Sequence, residues 1–257
     1  MTAIHIKFPA LTLKAGPRAF ARIRRDGLSA QQVGTLPGAA GGPKALGIQG
    51  LDLALFGEWL PAAPRERSLI GASVGSWRFA SACLPDAAQG IRRLGQLYTE
   101  QDFAKGVSMA QISQSSQRML DELLDGQDAR ILDNPDYRLN IMVVKSHGLL
   151  ADDHRGRLGL GLSSVIADNL RGRARLSRHF ERLIIHDPRR APPVHALEDF
   201  PSRFVALNAG NLRQALLASG SIPMVMQGVR DLPGAGEGTF RDGGLLDYHL
   251  DLPYSGD

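Results

Sequence analysis

The chain has 257 residues, 43% of them hydrophobic and 22% charged, and 30 Lys and Arg against 26 Asp and Glu leave a net charge of +4. That balance belongs to a folded domain and excludes disordered and fibrous classes. The mild positive charge suits an anionic partner without requiring one, and the single cysteine, Cys83, excludes an internal disulfide framework or a cysteine zinc cluster. No stretch approaches the roughly 18 consecutive apolar residues of a membrane span. The first residues, Met1 to Lys7, lack the long apolar core of a secretory signal, so a soluble, cytoplasmic protein is expected. The 29 glycines and 15 prolines make up about one residue in six, above the usual share of roughly one in eight. Such a surplus means either many loops or glycines placed for function.

In chain order, Pro17 to Asp26 reads as a helix closed by Gly27, and Gln32 to Leu36 as a short strand before a glycine-rich turn. Ile48, Leu51, Leu55 and Trp59 recur at helical spacing. Ser68-Leu69-Ile70 reads as a buried strand, followed by a helix over Val74 to Cys83. Ala110 to Leu124 is helical by the crowding of Met119, Leu120, Leu123 and Leu124, and Tyr137 to Ser146 is a strand. Leu176 to Leu183 reads as a helix leading into a strand over Leu183 to His186; Ser202 to Leu207 is a further strand and Leu212 to Ser219 a helix. Strand–turn–helix units without a dividing linker predict a single α/β domain over residues 1–257, with a mostly parallel central sheet flanked by helices.

Four local patterns stand out. Gly71-Ala72-Ser73-Val74-Gly75 is a G-x-S-x-G pentapeptide between a strand and a helix, the context in which a serine on a sharp turn needs small neighbours two residues to either side. By itself it is also an ordinary turn. Ala40-Gly41-Gly42-Pro43-Lys44-Ala45 is a glycine turn whose backbone N–H groups could approach an oxyanion. Pro43, where a phosphate-binding loop requires glycine before its lysine, excludes that motif. Asp242-Gly243-Gly244 follows Thr239-Phe240-Arg241 and reads either as a carboxylate at a strand end or as a hairpin turn. Ala218-Ser219-Gly220-Ser221-Ile222-Pro223 is explained without function as a helix terminus, capped by Gly220 and stopped by Pro223.

Taken in order, these four patterns resemble the patatin-like phospholipase family over roughly residues 33–246. The resemblance implies a three-layer patatin-like domain in which Ser73 is the nucleophile and Asp242 its base. It implies an oxyanion hole at Gly41 and Gly42, with Lys44 at the family's basic position as a substrate-binding candidate. It departs from the family turn at Ala40 and Ala45, which stand where glycines are usual and require negative φ. The activity implied is lipid acyl hydrolysis through an acyl-serine, with no cofactor, on a lipid or acyl-ester substrate. The alternative is a catalytically silent binding module for anionic lipid or membrane surfaces.

Other expectations concern single residues. His249 is the only histidine after Asp242 and the only candidate for a third member in the Ser–Asp–His order. Arg171, Arg175, Arg178 and Arg182 would share one helix face, a solvated face or one that docks transiently on an anionic membrane, with Leu176, Phe180 and Leu183 on another. Asp152-Asp153-His154 and His186-Asp187 lack the spacing of a metal site and read as solvated loops, so no metal and no nucleic-acid partner are expected. Cys83 is expected to be buried and inert. Trp77, Phe79, Phe103 and Met109 are core residues or linings of an acyl pocket. The chain ends soon after Asp242, without a closing helix or strand, which leaves room for the native protein to continue past Asp257.

Overall fold

The computed structural model describes residues 13–103, 105–194 and 197–254. Helix α1 (Pro17–Asp26) starts on a proline and ends at Gly27, whose φ of 75° only glycine adopts readily. Strand β1 (Thr35–Gly38) leads through the glycine turn into α2 (Gln49–Ala54), which continues as one widened turn over Leu55–Trp59. Next come β2 (Arg67–Ala72), α3 (Val74–Ala82), α4 (Ala87–Thr99), α5 (Met109–Leu124), α6 (Asp128–Leu132) and β3 (Tyr137–Ser146). The chain is completed by α7 (Arg155–Arg171), β4 (Phe180–His186), β5 (Ser202–Ala206), α8 (Leu212–Ser219), β6 (Val229–Arg230), β7 (Thr239–Asp242) and α9 (Gly244–Asp247). The fold is α/β as expected: a mixed sheet of mostly parallel strands between helices.

Strands β1, β2 and β3 run parallel, β4 pairs antiparallel with β3, and β5 runs parallel to β4. Strand β3 is the long centre, and one of its edges is shared. Its residues 137–142 pair with β2, while residues 143–146 pair antiparallel with β7 on that same edge, because β4 occupies the other edge across the junction. The C-terminal ends of β2 and β7 therefore meet tip to tip, with Ala72 opposite Met142 and Asp242 opposite Val143.

Side chains alternate across the sheet as strand geometry demands. Leu69, Ile141, Val143, Leu183, Ile185 and Phe240 join one large core with Trp77, Phe79 and residues of α4, α5 and α8. Ile70, Met142 and Ile184 pack on the other face with Leu250 and Leu252, and Val144, Leu158, Leu176 and Phe180 form a third cluster beside them. Cys83 is fully buried, and its thiol is pushed up by desolvation.

Two expectations need correction. The predicted helix over Leu176 to Leu183 is instead a short 3₁₀ segment, Arg173–Arg178, followed by β4 from Phe180. Gly172, with φ 140°, ends α7 and turns the chain. The four arginines consequently do not share a face: Arg171 closes α7, Arg175 and Arg178 lie on the 3₁₀ turn, and Arg182 on β4 is fully buried. Leu176, Phe180 and Leu183 are all buried, because a 3₁₀ turn and a strand point them into two different clusters. The docking face proposed from that spacing has no structural basis.

Arg182 is held by Asp247 (Nε to Oδ2, 2.7 Å) and by Asp199 (Nη1 to Oδ1, 2.9 Å). Asp247 is nearly buried, so removal of Arg182 leaves its carboxylate with Arg173 as its remaining cation among the described residues and opens a gap in the interior. Arg182→Met should lower stability by about 3–5 kcal/mol in urea unfolding, whereas Arg178→Ala should change it by less than about 0.5 kcal/mol.

Candidate functional site

Ser73 sits between the end of β2 and the first residue of α3, in a backbone conformation (φ 56°, ψ −133°) rarely adopted by a residue with a Cβ. Such a conformation costs on the order of 1–3 kcal/mol and persists only where the surroundings enforce it. They do so by close approach. A Cβ on Gly71 would collide with the backbone of Gly75 and Ser76, and a Cβ on Gly75 would collide with the carbonyl of Gly38. Both glycines of the pentapeptide are thus required by the packing of α3 against β2 and β1. The turn is closed by bonds from Ser76 N–H (3.0 Å) and Ser76 Oγ (2.6 Å) to the Ser73 carbonyl.

Asp242 arrives from the opposite direction at the end of β7. Asp242 is 4% exposed, lines one cavity together with Ser73, and has its carboxyl pushed up by burial and drawn down by the Ser73 hydroxyl. The Gly244 N–H donates to its Oδ1 at 2.6 Å. Burial pushes the carboxyl up to about 6 from an ordinary 3.8, and the hydrogen bonds from Ser73 and Gly244 only partly offset that. Its neighbour Arg241 projects to the other side of the strand, where Asp153 and the carbonyls of Leu150 and Asp152 hold the guanidinium. Asp242-Gly243-Gly244 is not a hairpin turn: Gly243 has helical angles and leads into α9. A Cβ on Gly243 would stand 2.5 Å from the Met142 carbonyl.

The segment Ala218 to Pro223, legible in sequence as a helix cap, does more in the structure. Ser219 Oγ donates to the Met142 carbonyl (2.7 Å) and accepts from the Ser73 N–H (2.9 Å), which pins the serine turn to the centre of β3. The Asp242 N–H bonds the Ser221 carbonyl at 3.2 Å. Trp77 Nε1 donates to the Leu216 carbonyl (2.8 Å), and its ring packs against Gly220 so closely that a Cβ there would stand 2.5 Å away. Ser219 is therefore a positioning residue that sequence reasoning missed. Its only sequence signal was its place beside Gly220 and Pro223, which a helix cap explains equally well.

A cavity of about 310 Å³ is lined by Ser73 and Asp242 together with Gly41, Gly42 and Tyr248. A second, of about 330 Å³, shares Ser73, Gly42, Pro43 and Ile222 and extends past Trp77, Tyr98, Phe103 and Met226. Of the candidate acyl-pocket linings, Trp77 and Phe103 line this space, Phe79 is core, and Met109 packs with the third cluster. Gly42 has φ 53°, a value suited to glycine, whereas neither Ala40 nor Ala45 has a positive φ, so both alanines fit their positions. Lys44 is exposed and lines a neighbouring depression of about 570 Å³ rather than the one holding Ser73.

His249 is exposed, packs edge-on against Tyr248 (5.0 Å between centroids), and borders the depression of Lys44. It does not line the cavity of Ser73 and Asp242. The acidic pairs read as solvated loops are bonded more tightly than expected. Asp153 accepts from Arg241 (2.6 Å) and from the Gly228 N–H (3.0 Å), and Asp187 is buried against Arg189. Among the described residues no group of three or more His, Cys, Asp or Glu side chains could hold a metal ion. No described helix is long and apolar enough to cross a membrane. No family model, no curated protein and no solved structure matches the chain.

The raised carboxyl has a consequence for stability. An aspartate held above its unfolded value binds its proton more tightly when folded, so its ionisation costs stability at pH above about 6 and nothing below about 4. Asp242→Asn, which keeps the shape and removes the charge, should raise stability at pH 8 by up to about 3 kcal/mol and leave it unchanged near pH 3, as read by thermal unfolding at the two pH values. Ser219→Ala leaves the Met142 carbonyl and the Ser73 N–H without their partner and should cost about 1–3 kcal/mol in the same measurement.

Proposed function

We propose that this chain is a lipid acyl hydrolase that cleaves carboxylic esters through an acyl-serine intermediate on a Ser73–Asp242 dyad, as its resemblance to patatin-like phospholipases implies. One observation carries the reading: a serine in a strained turn at the head of a helix, beside a buried carboxyl raised to about 6. A free aspartate is too weak a base for a serine hydroxyl, and desolvation brings this one toward neutral pH. The strain at Ser73 presents Oγ to the cavity at the positive end of α3.

In this mechanism Asp242 takes the Ser73 proton as Oγ attacks the ester carbonyl. The oxyanion of the tetrahedral adduct faces the glycine turn. There the internal bonds run from Ala40 N–H to the Tyr248 carbonyl (3.0 Å) and from Lys44 N–H to the Gly41 carbonyl (3.3 Å), so the N–H groups of Gly41 and Gly42 are the candidate donors. Pro43 has no N–H to offer, and the Ser73 N–H is engaged by Ser219. Collapse of the adduct breaks the C–O bond, and the alcohol leaves with the proton held by Asp242. A water, deprotonated by Asp242, then attacks the acyl-serine and releases the acid, returning the proton to Ser73.

Ser73→Ala should abolish hydrolysis of p-nitrophenyl esters and labelling by a fluorophosphonate probe, with unfolding unchanged or slightly improved. Unchanged hydrolysis in that variant would sink the proposal. The rate of the parent enzyme should rise with pH through an apparent pKa near 6, because the ionised Asp242 is the base. His249→Ala should retain parental kcat/KM, since the ring does not line the reacting cavity.

A further inference from the structure

We infer that the cleft at Ser73 is built for a neutral ester with two apolar ends and discriminates against substrates carrying an anionic group. This rests on the hydrolase reading above for the reaction, though not for the binding. The two cavities meet at Ser73, Gly42, Pro43 and Ile222, so a substrate with its carbonyl carbon at Ser73 Oγ places one part in each. The arm past Trp77, Ile112 and Met226 is the more buried, with Trp77 and Met226 at 5% and 4% exposure, and takes the acyl chain. The arm beside Leu245 and Tyr248 is shallower, and Tyr248 at its edge is exposed. It takes the alcohol part.

Charge decides what the alcohol part can be. Among the described residues lining the two arms there is no Lys, Arg or His, and the ionisable groups are Asp242, Tyr98 and Tyr248. Tyr98 is held neutral at ordinary pH, its phenol raised by burial and by the charge of Asp242. A phosphate in the alcohol arm would meet the Asp242 carboxylate instead of a cation, and one in the acyl arm would meet no cation, in apolar surroundings that screen poorly. The arginines that could have answered a phosphate are committed elsewhere: Arg241 to Asp153, Arg182 to Asp199 and Asp247, and Arg173 to Asp247. Lys44 is the nearest basic candidate by sequence, and it faces the neighbouring depression. The rim points the same way, since Phe103, Ile222, Val225 and Tyr248 are exposed apolar or aromatic side chains around the mouth.

The test uses non-cleavable ligands, so that binding and turnover are read separately. Trp77 lines the acyl arm and the only other tryptophan is Trp59. The Trp59→Phe protein therefore reports occupancy of the arm by its emission. Titration with 1,2-di-O-hexylglycerol and with the 3-phosphate of the same diether should show at least about ten-fold tighter binding of the neutral compound. Leu245→Arg, which sets a cation in the alcohol arm, should raise the ratio of phosphate affinity to neutral-diether affinity several-fold. Equal or tighter binding of the phosphate by the parent protein, or no response to either compound, would overturn the inference. Selective binding without any ester turnover would leave it standing and remove the hydrolase reading. Turnover of diacylglycerol and of its phosphate at equal kcat/KM would remove the inference and leave the hydrolase reading intact.

Discussion

Two strands ending against the same edge of a third hold this molecule's candidate site together. Strand β2 approaches along β3 from one side and β7 from the other, and they stop at adjacent residues, Met142 and Val143. Neither strand can continue, so each chain must turn sharply away from the sheet at that seam. One turn carries Ser73 and the other Asp242. The crowding that follows leaves no room for Cβ atoms at Gly71, Gly75 and Gly243. The Met142 carbonyl at the seam is answered by Ser219, whose hydroxyl also fixes the amide of Ser73. Geometry that would be strained in isolation is over-determined here by sheet pairing, helix packing and two hydrogen bonds to one side chain.

Electrostatics divides the interior into two regimes. Arg67, Arg182 and Arg241 are among the largest fully buried side chains, and each is satisfied: Arg67 by the carbonyls of Ala30, Ala63 and Val33, the other two by aspartates. These groups lock elements together, the charges of Arg182 and Arg241 balanced by carboxylates and that of Arg67 held by carbonyl oxygens. Asp242 is buried to a similar degree, but the groups acting on it are the Ser73 hydroxyl and the Gly244 N–H, and neither is a cation. An unbalanced carboxylate costs stability when ionised, and the same cost brings its titration toward neutral pH, as the proposed role of base requires. Strand alternation separates the regimes, since Arg241 and Asp242 are adjacent in sequence and face opposite sides of the sheet.

Much of the fold was legible because its signals are local. Helix α1 between Pro17 and Gly27, β3 over Tyr137–Ser146 and α8 over Leu212–Ser219 follow from proline and glycine punctuation, a β-branched run and a glycine cap. The segment after Gly172 misled for a physical reason. Arginines every three or four residues suit a helix face, yet a 3₁₀ turn followed by a strand can present the same spacing, and the aspartates that hold Arg182, one exposed and one buried, lie at positions 199 and 247. Long-range ion pairing of that kind leaves no periodic trace.

By itself the sequence determined the small residues at the turns, the serine and aspartate that they flank, and the α/β alternation of elements, because these depend on neighbours within a few positions. The tertiary structure alone decided that β2 and β7 meet tip to tip, that Ser219 ties Ser73 to β3, and that Lys44 and His249 stand outside the cavity lined by Ser73 and Asp242. It also decided that two arms without a basic side chain among their described lining converge on Ser73. Those outcomes depend on which residues more than a hundred positions apart share a desolvated space, and only the packed sheet and helices establish that.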